Sequence, residues 1–292
     1  MLWSALAFSV MSAMVKLVGT RIPSAEIAIV RGAVTLVASY LFLRRAGISP
    51  WEAEYRWLFA RGLLGFFGLH SYFYALTELP LAEATVIQFL NPILVALAAP
   101  LVLGEAFSLR DAVGSALGFF GVLFIARPAA LFDALHLSSS HDAAHALSPM
   151  GVAVGVFGAV CSALVYLVVR KLKDKAHALV VVFHFPLLVV PLSLPLAIPI
   201  WVWPTWNEWL VLLAVGLTAQ WGQMKMTESL HQETAARATA VSFAQVVFAM
   251  FFSVTLFGEV PTWSTWVGAA FVFTGTLLVA RMRRATPAIS AR

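Results

Sequence analysis

The sequence predicts an all-α polytopic membrane protein: ten transmembrane helices forming two inverted-topology five-helix repeats around a central cavity. Three observations carry that prediction. Of 292 residues, 61% are hydrophobic and only 11% charged, where a soluble chain carries about 25% charged. The apolar runs approach the ~20 residues that a helix needs to cross the hydrocarbon core, and they lack the short alternating pattern of barrel strands. Finally, the stretch Ala84–Glu105 is echoed 154 positions later by Ala238–Glu259.

Ten candidate spans fall at 2–18, 26–44, 57–77, 82–103, 110–127, 150–169, 177–199, 206–229, 235–257 and 264–281. The first is read as a span rather than a signal peptide, because it has neither a basic start nor a small-residue cleavage site. Arg21-Ile22-Pro23-Ser24 ends it. Arg44-Arg45-Ala46-Gly47, running to Pro50, ends the second. Glu78-Leu79-Pro80 separates the third from the fourth, and Gly104-Glu105 and Gly258-Glu259 close the fourth and ninth. The basic run Arg170 to Lys175 closes the sixth. The seventh holds Pro186, Pro191, Pro195 and Pro199 and should be bent. Trp201, Trp203, Trp206 and Trp209 fit an interfacial belt beside it.

Orientation follows the positive-inside rule. Of the 19 Lys and Arg, all but Lys16, Arg21, Arg31 and Arg127 fall at ends that face the cytoplasm if the N-terminus does. Both termini are therefore expected in the cytoplasm, with the chain passing repeatedly through a bacterial-type cytoplasmic (inner) membrane. On this reading the net charge of +5 orients the protein in the lipid bilayer and does not imply a nucleic-acid partner. Cys161 is the only cysteine, which excludes an intramolecular disulfide.

The one long connection, Pro128–Pro149, would lie outside. It divides the chain into a first repeat (1–128), a connecting loop (129–149), a second, inverted repeat (150–285) and a cytoplasmic tail (286–292). His141 and His145 within it are four apart, with Asp133, His136 and Asp142 nearby. A solvated polar loop accounts for them, and no metal is expected.

The repeat is dense. At an offset of 154, Leu76 meets Leu230, Ala82 meets Ala236, Gly114 meets Gly268 and Gly121 meets Gly275. In the earlier spans Ser12-Ala13 matches Ser162-Ala163 at an offset of 150. Five spans per copy is odd, so the second copy must enter from the opposite side. Many secondary transporters are built this way, with the site near the midplane where the halves meet.

Thr85, Gln88 and Asn91 recur every three residues, so they share one helix face. Ser242 and Gln245 occupy matching positions in the second copy. Pro92 removes a backbone hydrogen bond beside them. His70 and Tyr74 on the third span, Ser162 and Tyr166 on the sixth, and Gln220 and Trp221 on the eighth complete the candidate substrate-binding set. Each of these could instead serve helix packing. Such a lining suits a small polar or zwitterionic solute with an apolar part. By depth along their spans, Lys16 and Arg31 lie near outer ends and Arg61 near an inner end, leaving no paired cation at the midplane for phosphate. No carboxylate falls at the centre of a span either, which favours facilitated diffusion or exchange over proton antiport. Gly114-x-x-x-Gly118 and Gly151-x-x-x-Gly155 suit packing inside the monomer.

Tyr74-Ala75-Leu76, then Leu81-Ala82-Glu83-Ala84-Thr85, Asn91-Pro92 and Gly104-Glu105, with the echo Ala238-Thr239 to Gly258-Glu259, resemble the EamA-type ten-helix members of the drug/metabolite transporter superfamily. The resemblance covers nearly the whole chain. It implies five-plus-five inverted repeats around a cavity lined by spans one, three, four, six, eight and nine. The YddG-like amino-acid exporters are the nearest analogy within it. The second copy departs from the first by having Gln245-Val246 where Asn91-Pro92 stands. The expected function is alternating-access transport of small amphipathic metabolites, amino-acid export foremost. Uptake or exchange of a cofactor- or nucleoside-like solute is the alternative. A membrane-embedded enzyme is disfavoured, since Walker, His-Glu-x-x-His and Gly-x-Ser-x-Gly motifs are all missing. The expected partner is a small-molecule substrate. No cofactor or catalytic residue is expected, and the chain should be a monomer or weak homodimer.

Overall fold

A computed structural model describes residues 1–51, 54–104, 109–126, 147–242, 244–259 and 263–280. Among them the chain is helical, with no strand. The first half contains α1 (Leu2–Val18), α2 (Ser24–Ala46), α3 (Tyr55–Glu78), α4 (Leu81–Gln88), α5 (Leu90–Leu103) and α6 (Leu109–Ala126). The second contains α7 (Pro149–Lys171), α8 (Ala178–Ala197), α9 (Trp206–Gln232), α10 (Ala235–Ser242), α11 (Ala244–Phe257) and α12 (Trp263–Ala280). The loop histidines His136, His141 and His145, like Glu105 and the C-terminal tail, lie outside the described residues.

Three segments, Ser24–Ala46, Pro149–Lys171 and Ala178–Ile200, are long and apolar enough to cross a membrane. Large apolar side chains face outward along the bundle. Leu101, Leu210, Leu256 and Phe251 are all more than half exposed, a surface that only lipid or protein can cover. Trp203 and Trp206 are exposed near one end of the bundle.

The repeat is visible in element boundaries. α2 begins at Ser24 and α8 at Ala178; α3 ends at Glu78 and α9 at Gln232; α4 begins at Leu81 and α10 at Ala235; α5 ends at Leu103 and α11 at Phe257. Each pair is 154 positions apart. α2 and α8 thus keep the register of the later spans; Ser12-Ala13 and Ser162-Ala163, matched at an offset of 150, lie on α1 and α7. Gly104 and Gly258 close α5 and α11 in the left-handed region, at φ 66° and 64°, where a residue with a Cβ is strained.

Packing repeats as well. α1 lies on α9, as α3 does on α7; α2 packs on α9, as α8 does on α3; α1 packs on α11, as α7 does on α5. α2 with α8, and α6 with α12, pair directly. Even individual close approaches recur. A Cβ at Gly62 would meet Leu188, and one at Gly216 would meet Val34; one at Gly68 would meet Ser162, and one at Gly222 would meet Phe8. In each case the four residues map onto one another by the same shift. Gly114 and Gly118 are also used inside the monomer. The Gly114 carbonyl lies where a Cβ on Gly275 would go, and Ile93 fills the space beside Gly118.

Polar contacts sort the helix ends into two groups. At one end of the bundle Lys16, near the end of α1, donates to the carbonyl of Leu79 (2.9 Å) and pairs with Glu259 (2.9 Å). Glu259 also accepts from the Leu81 amide (3.2 Å) and the Ser253 hydroxyl (2.9 Å). Arg21 pairs there with Glu208, at the start of α9. At the other end of α9, Arg170 donates to the carbonyl of Leu230 (3.0 Å). Lys175 pairs with Glu54 before α3 (2.5 Å).

Candidate functional site

α4 stops at Gln88 because the chain turns at Phe89 (φ −77°, ψ 9°) before α5 begins. Pro92 contributes, since it has no N–H to offer the Gln88 carbonyl four residues back. The turn brings Gln88, Phe89 and Asn91 together onto the wall of a cavity of about 110 Å³. α1, α3, α7, α9 and α11 also line it, as the resemblance implies. So do α2 through Arg31 and α8 through Phe185, which it does not imply.

One part of the wall is amide and hydroxyl. Gln88 Nε2 donates to Ser162 Oγ at 2.7 Å. Asn91 sits beside the Tyr166 hydroxyl, and Gln245 and Tyr72 continue the surface. Tyr72 is held by Ser12 at 2.9 Å. The oxygens Gln88 Oε1 and Asn91 Oδ1 are buried without a hydrogen-bond partner. Buried polar atoms of this kind are few in native proteins.

The other part is cationic, which corrects the expectation that Arg31 and Arg61 reach water at span ends. They are 2% and 1% exposed, and both line the cavity. The correction has a geometric cause. Arg31 is seven residues into α2 and Arg61 six into α3, about 10 Å along each axis at 1.5 Å per residue. Two long side chains extending from there meet over one ring. The guanidinium carbon of Arg61 is 4.1 Å from the Phe185 centroid, and that of Arg31 is 5.4 Å away. Arg61 Nη2 donates to Gln223 Oε1 at 2.9 Å. Arg31 Nε and Nη1 and Arg61 Nε have no partner, and no described carboxylate makes an ion pair with either arginine. An arginine in mid-membrane costs about 2.5–3.5 kcal/mol on insertion scales. Stacking on an aromatic ring returns ~2 kcal/mol when desolvated; Arg31 also lies 5.9 Å from the Phe73 centroid, so both cations are held by rings rather than by a described carboxylate.

The expected residues divide. Gln88, Asn91, Ser162, Tyr166 and Gln245 are on the wall. Thr85 is buried behind it, donating to the Leu81 carbonyl (2.7 Å) with Tyr72 next to it. Ser242 is buried but is not among the lining residues. Gln220 accepts from Ser39 (3.0 Å) and ties α9 to α2. Trp221 is 54% exposed and stacks on Trp3. His70 turns to the Phe66 carbonyl (3.1 Å) and ring, and neither it nor Tyr74 reaches the cavity. The α3 wall is instead Arg61, Gly65, Gly68, Leu69 and Tyr72, spaced as one helix face. That spacing was the available signal for Tyr72 and Arg61. Gln223 and Met226, three apart on α9, share a face in the same way. Gly65 makes room for the stack, since a Cβ there would lie 2.6 Å from both Arg61 Nη1 and the Phe185 ring.

The lining itself repeats at 154. Phe8 and Ser162, Met11 and Val165, and Arg31 and Phe185 are equivalent pairs, and both members of each are on the wall. So are Leu69 and Gln223, Tyr72 and Met226, and Asn91 and Gln245. The cavity sits where the two copies meet.

Known proteins place this architecture. A solved crystal structure matches with TM-score 0.69 at 18% identity, covering 94% of this chain and 95% of its own. A probable transport protein of Saccharomyces cerevisiae is 30% identical over 287 residues, covering 90% of this chain and 80% of the yeast protein. The pseudopaline exporter of Pseudomonas aeruginosa (strain UCBPP-PA14) is 29% identical over 278 residues, covering 95% of this chain and 93% of the exporter. The model of the EamA-like transporter family matches residues 1–127 and again residues 149–281. With nearly all of its length accounted for by two copies of that unit, the chain belongs to the EamA-like transporter family, and it is a membrane transporter rather than an enzyme.

Proposed function

We propose that this transporter carries small zwitterionic metabolites, amino acids foremost, out of the cell by alternating access. The observation that carries the reading is the cavity's position between equivalent elements, six lining pairs being related by one sequence shift. Two copies that contribute the same positions to one site suit two nearly equivalent states, one open to each side.

Helix-end contacts support the inverted arrangement. α1 ends beside the start of α9 (Arg21–Glu208), whereas its counterpart α7 ends beside the end of α9 (Arg170–Leu230). α9 is 27 residues, about 40 Å at 1.5 Å per residue, so these are opposite faces. Equivalent helices thus run in opposite senses. On this reading residues 1–128 and 150–285 are the two five-helix repeats, both termini are cytoplasmic, and the membrane is a bacterial-type inner membrane. The Lys16–Glu259 pair closes the outer end.

The wall suits an amino acid. Unpartnered Gln88 Oε1 and Asn91 Oδ1 can accept from an ammonium group, and the guanidinium end can take a carboxylate. At about 110 Å³ the cavity has room for roughly seven to eleven water-sized atoms at 10–15 Å³ each. That favours amino acids over the larger cofactor-like solutes. Export as the direction rests on the similarity to the pseudopaline exporter. Purified protein in liposomes should accelerate flux of labelled amino acids, with Gln88→Ala and Asn91→Ala each slowing it. Flux equal to that of protein-free liposomes across an amino-acid panel would overturn the reading.

A further inference from the structure

We infer that the cargo carries two acidic groups, one for each of the buried arginines Arg31 and Arg61. The inference deepens the transport reading and rests on it for where the cargo sits. The cavity wall holds two guanidinium groups and, among its lining residues, no Asp, Glu or Lys. Three nitrogens of these two guanidinium groups are buried without a hydrogen-bond partner.

Three acids among the described residues bond elsewhere, although Glu26 Oε1 is itself buried without a partner. Glu26 Oε2 accepts the Val202 amide (3.0 Å), Glu83 Oε1 accepts the Thr265 hydroxyl (3.1 Å), and Glu259 pairs with Lys16 (2.9 Å). None of these carboxylates lines the cavity. A mono-carboxylate zwitterion brings one negative charge to two cations and leaves one uncompensated. A second acidic group on the cargo removes that deficit. The two guanidiniums stand on one ring, Phe185, so both reach the same bound molecule. Phe185 fixes them in place, and Gln223 holds Arg61 from the side. The amide end remains free to take a donor such as an ammonium group. An amino dicarboxylate of about ten non-hydrogen atoms meets all three conditions.

The decisive comparison needs no variant. L-glutamate and L-glutamine are nearly isosteric and differ by one negative charge. Binding of each to the detergent-purified full chain is measured by isothermal titration, and flux is measured in liposomes as a separate readout. Glutamate should bind at least about tenfold more tightly than glutamine. Arg31→Gln and Arg61→Gln should each shrink that ratio to about threefold or less, and the lysine variants should restore part of it. O-phosphoserine and succinate identify the acidic group. Phosphoserine outcompeting glutamate assigns one position to a phosphate. Succinate binding without any amino acid binding keeps the two-acid inference and removes the amino-acid reading. Equal affinity for glutamate and glutamine overturns the inference and leaves amino-acid transport standing. Glutamate selectivity in binding with no flux of any solute does the reverse.

Discussion

Substituting Gly65 with alanine tests whether the arginine stack is part of the transport site. The added methyl would lie 2.6 Å from Arg61 Nη1, 2.6 Å from Phe185 Cε2 and 2.9 Å from Phe185 Cδ2. Ordinary carbon contacts lie at about 3.5–4.0 Å, so something must move by roughly 1 Å. The end of Arg61 is flexible, but the Phe185 ring is 3% exposed and confined. The guanidinium should therefore leave the ring, carrying its charge away from the position that faces the cargo. Overpacking costs about 1–3 kcal/mol, and the lost stack costs up to ~2 kcal/mol. If about 2 kcal/mol of this falls on the cargo-competent geometry, affinity drops roughly thirtyfold at 1.4 kcal/mol per decade. Proteoliposome flux per folded molecule and equilibrium binding measure the loss. Gly216→Ala is the control. Its methyl would lie 2.4 Å from Val34 Cβ, a packing contact whose residues do not line the cavity, so it should lower the unfolding temperature while leaving flux per folded molecule intact. Wild-type affinity and flux in Gly65→Ala would refute the proposed role of the stack.

Other substitutions separate wall from scaffold. Ser162→Ala removes the partner of Gln88 Nε2 and should weaken cargo binding about threefold to tenfold, equivalent to one net hydrogen bond, in the same titration. Gln223→Ala should impair flux, whereas Trp221→Ala, on the outward face against Trp3, should leave flux per folded molecule unchanged. Gly104→Ala and Gly258→Ala each force an alanine into the left-handed region. Each should cost about 1–2 kcal/mol, seen as similar drops in thermal midpoint. Lys16→Gln removes the bridge to Glu259. Thiol labelling of a Ser12→Cys reporter in a Cys161→Ser background should then rise, and unchanged labelling would count against an outer closure there.

The class of protein, a helical membrane transporter, was legible because it rests on many residues at once. A helix across lipid must be apolar over its length, and the offset of 154 recurs from Phe8 and Ser162 to Gly121 and Gly275. Gln88 and Asn91 stood out as polar residues in an otherwise apolar span, and Gln245 as the counterpart of Asn91 in the second copy; the turn at Phe89 puts Gln88 on α4 and Asn91 on α5. The arginines were misread because depth was counted at the Cα. A guanidinium stands several bonds away from its backbone, and its destination depends on which neighbouring helix leaves room. Here the room comes from Gly65 and the ring from Phe185, on two different helices. His70 and Tyr74 show the complementary error. Their polarity drew attention, but the cavity face of α3 is set by the period running through Arg61, Gly65, Leu69 and Tyr72.

The two copies are equivalent in position and unlike in chemistry, and the difference bears on how a cargo would be held. Arg31 in the first half corresponds to Phe185 in the second, so a cation and the ring beneath it occupy matched positions. Arg61 corresponds to Val215, and Gln88 to Ser242. Both cations and the unpartnered amide oxygens therefore come from the first half. The second half contributes the Phe185 ring, Ser162, which accepts from Gln88, and Gln223, which holds Arg61. A symmetric lining would let a cargo bind in two opposite orientations. This one offers a single cationic end and a single amide end. On the proposed alternating-access reading, the halves exchange roles in opening to each side while the cargo keeps one set of contacts, so that backbone symmetry would serve the motion and side-chain asymmetry recognition.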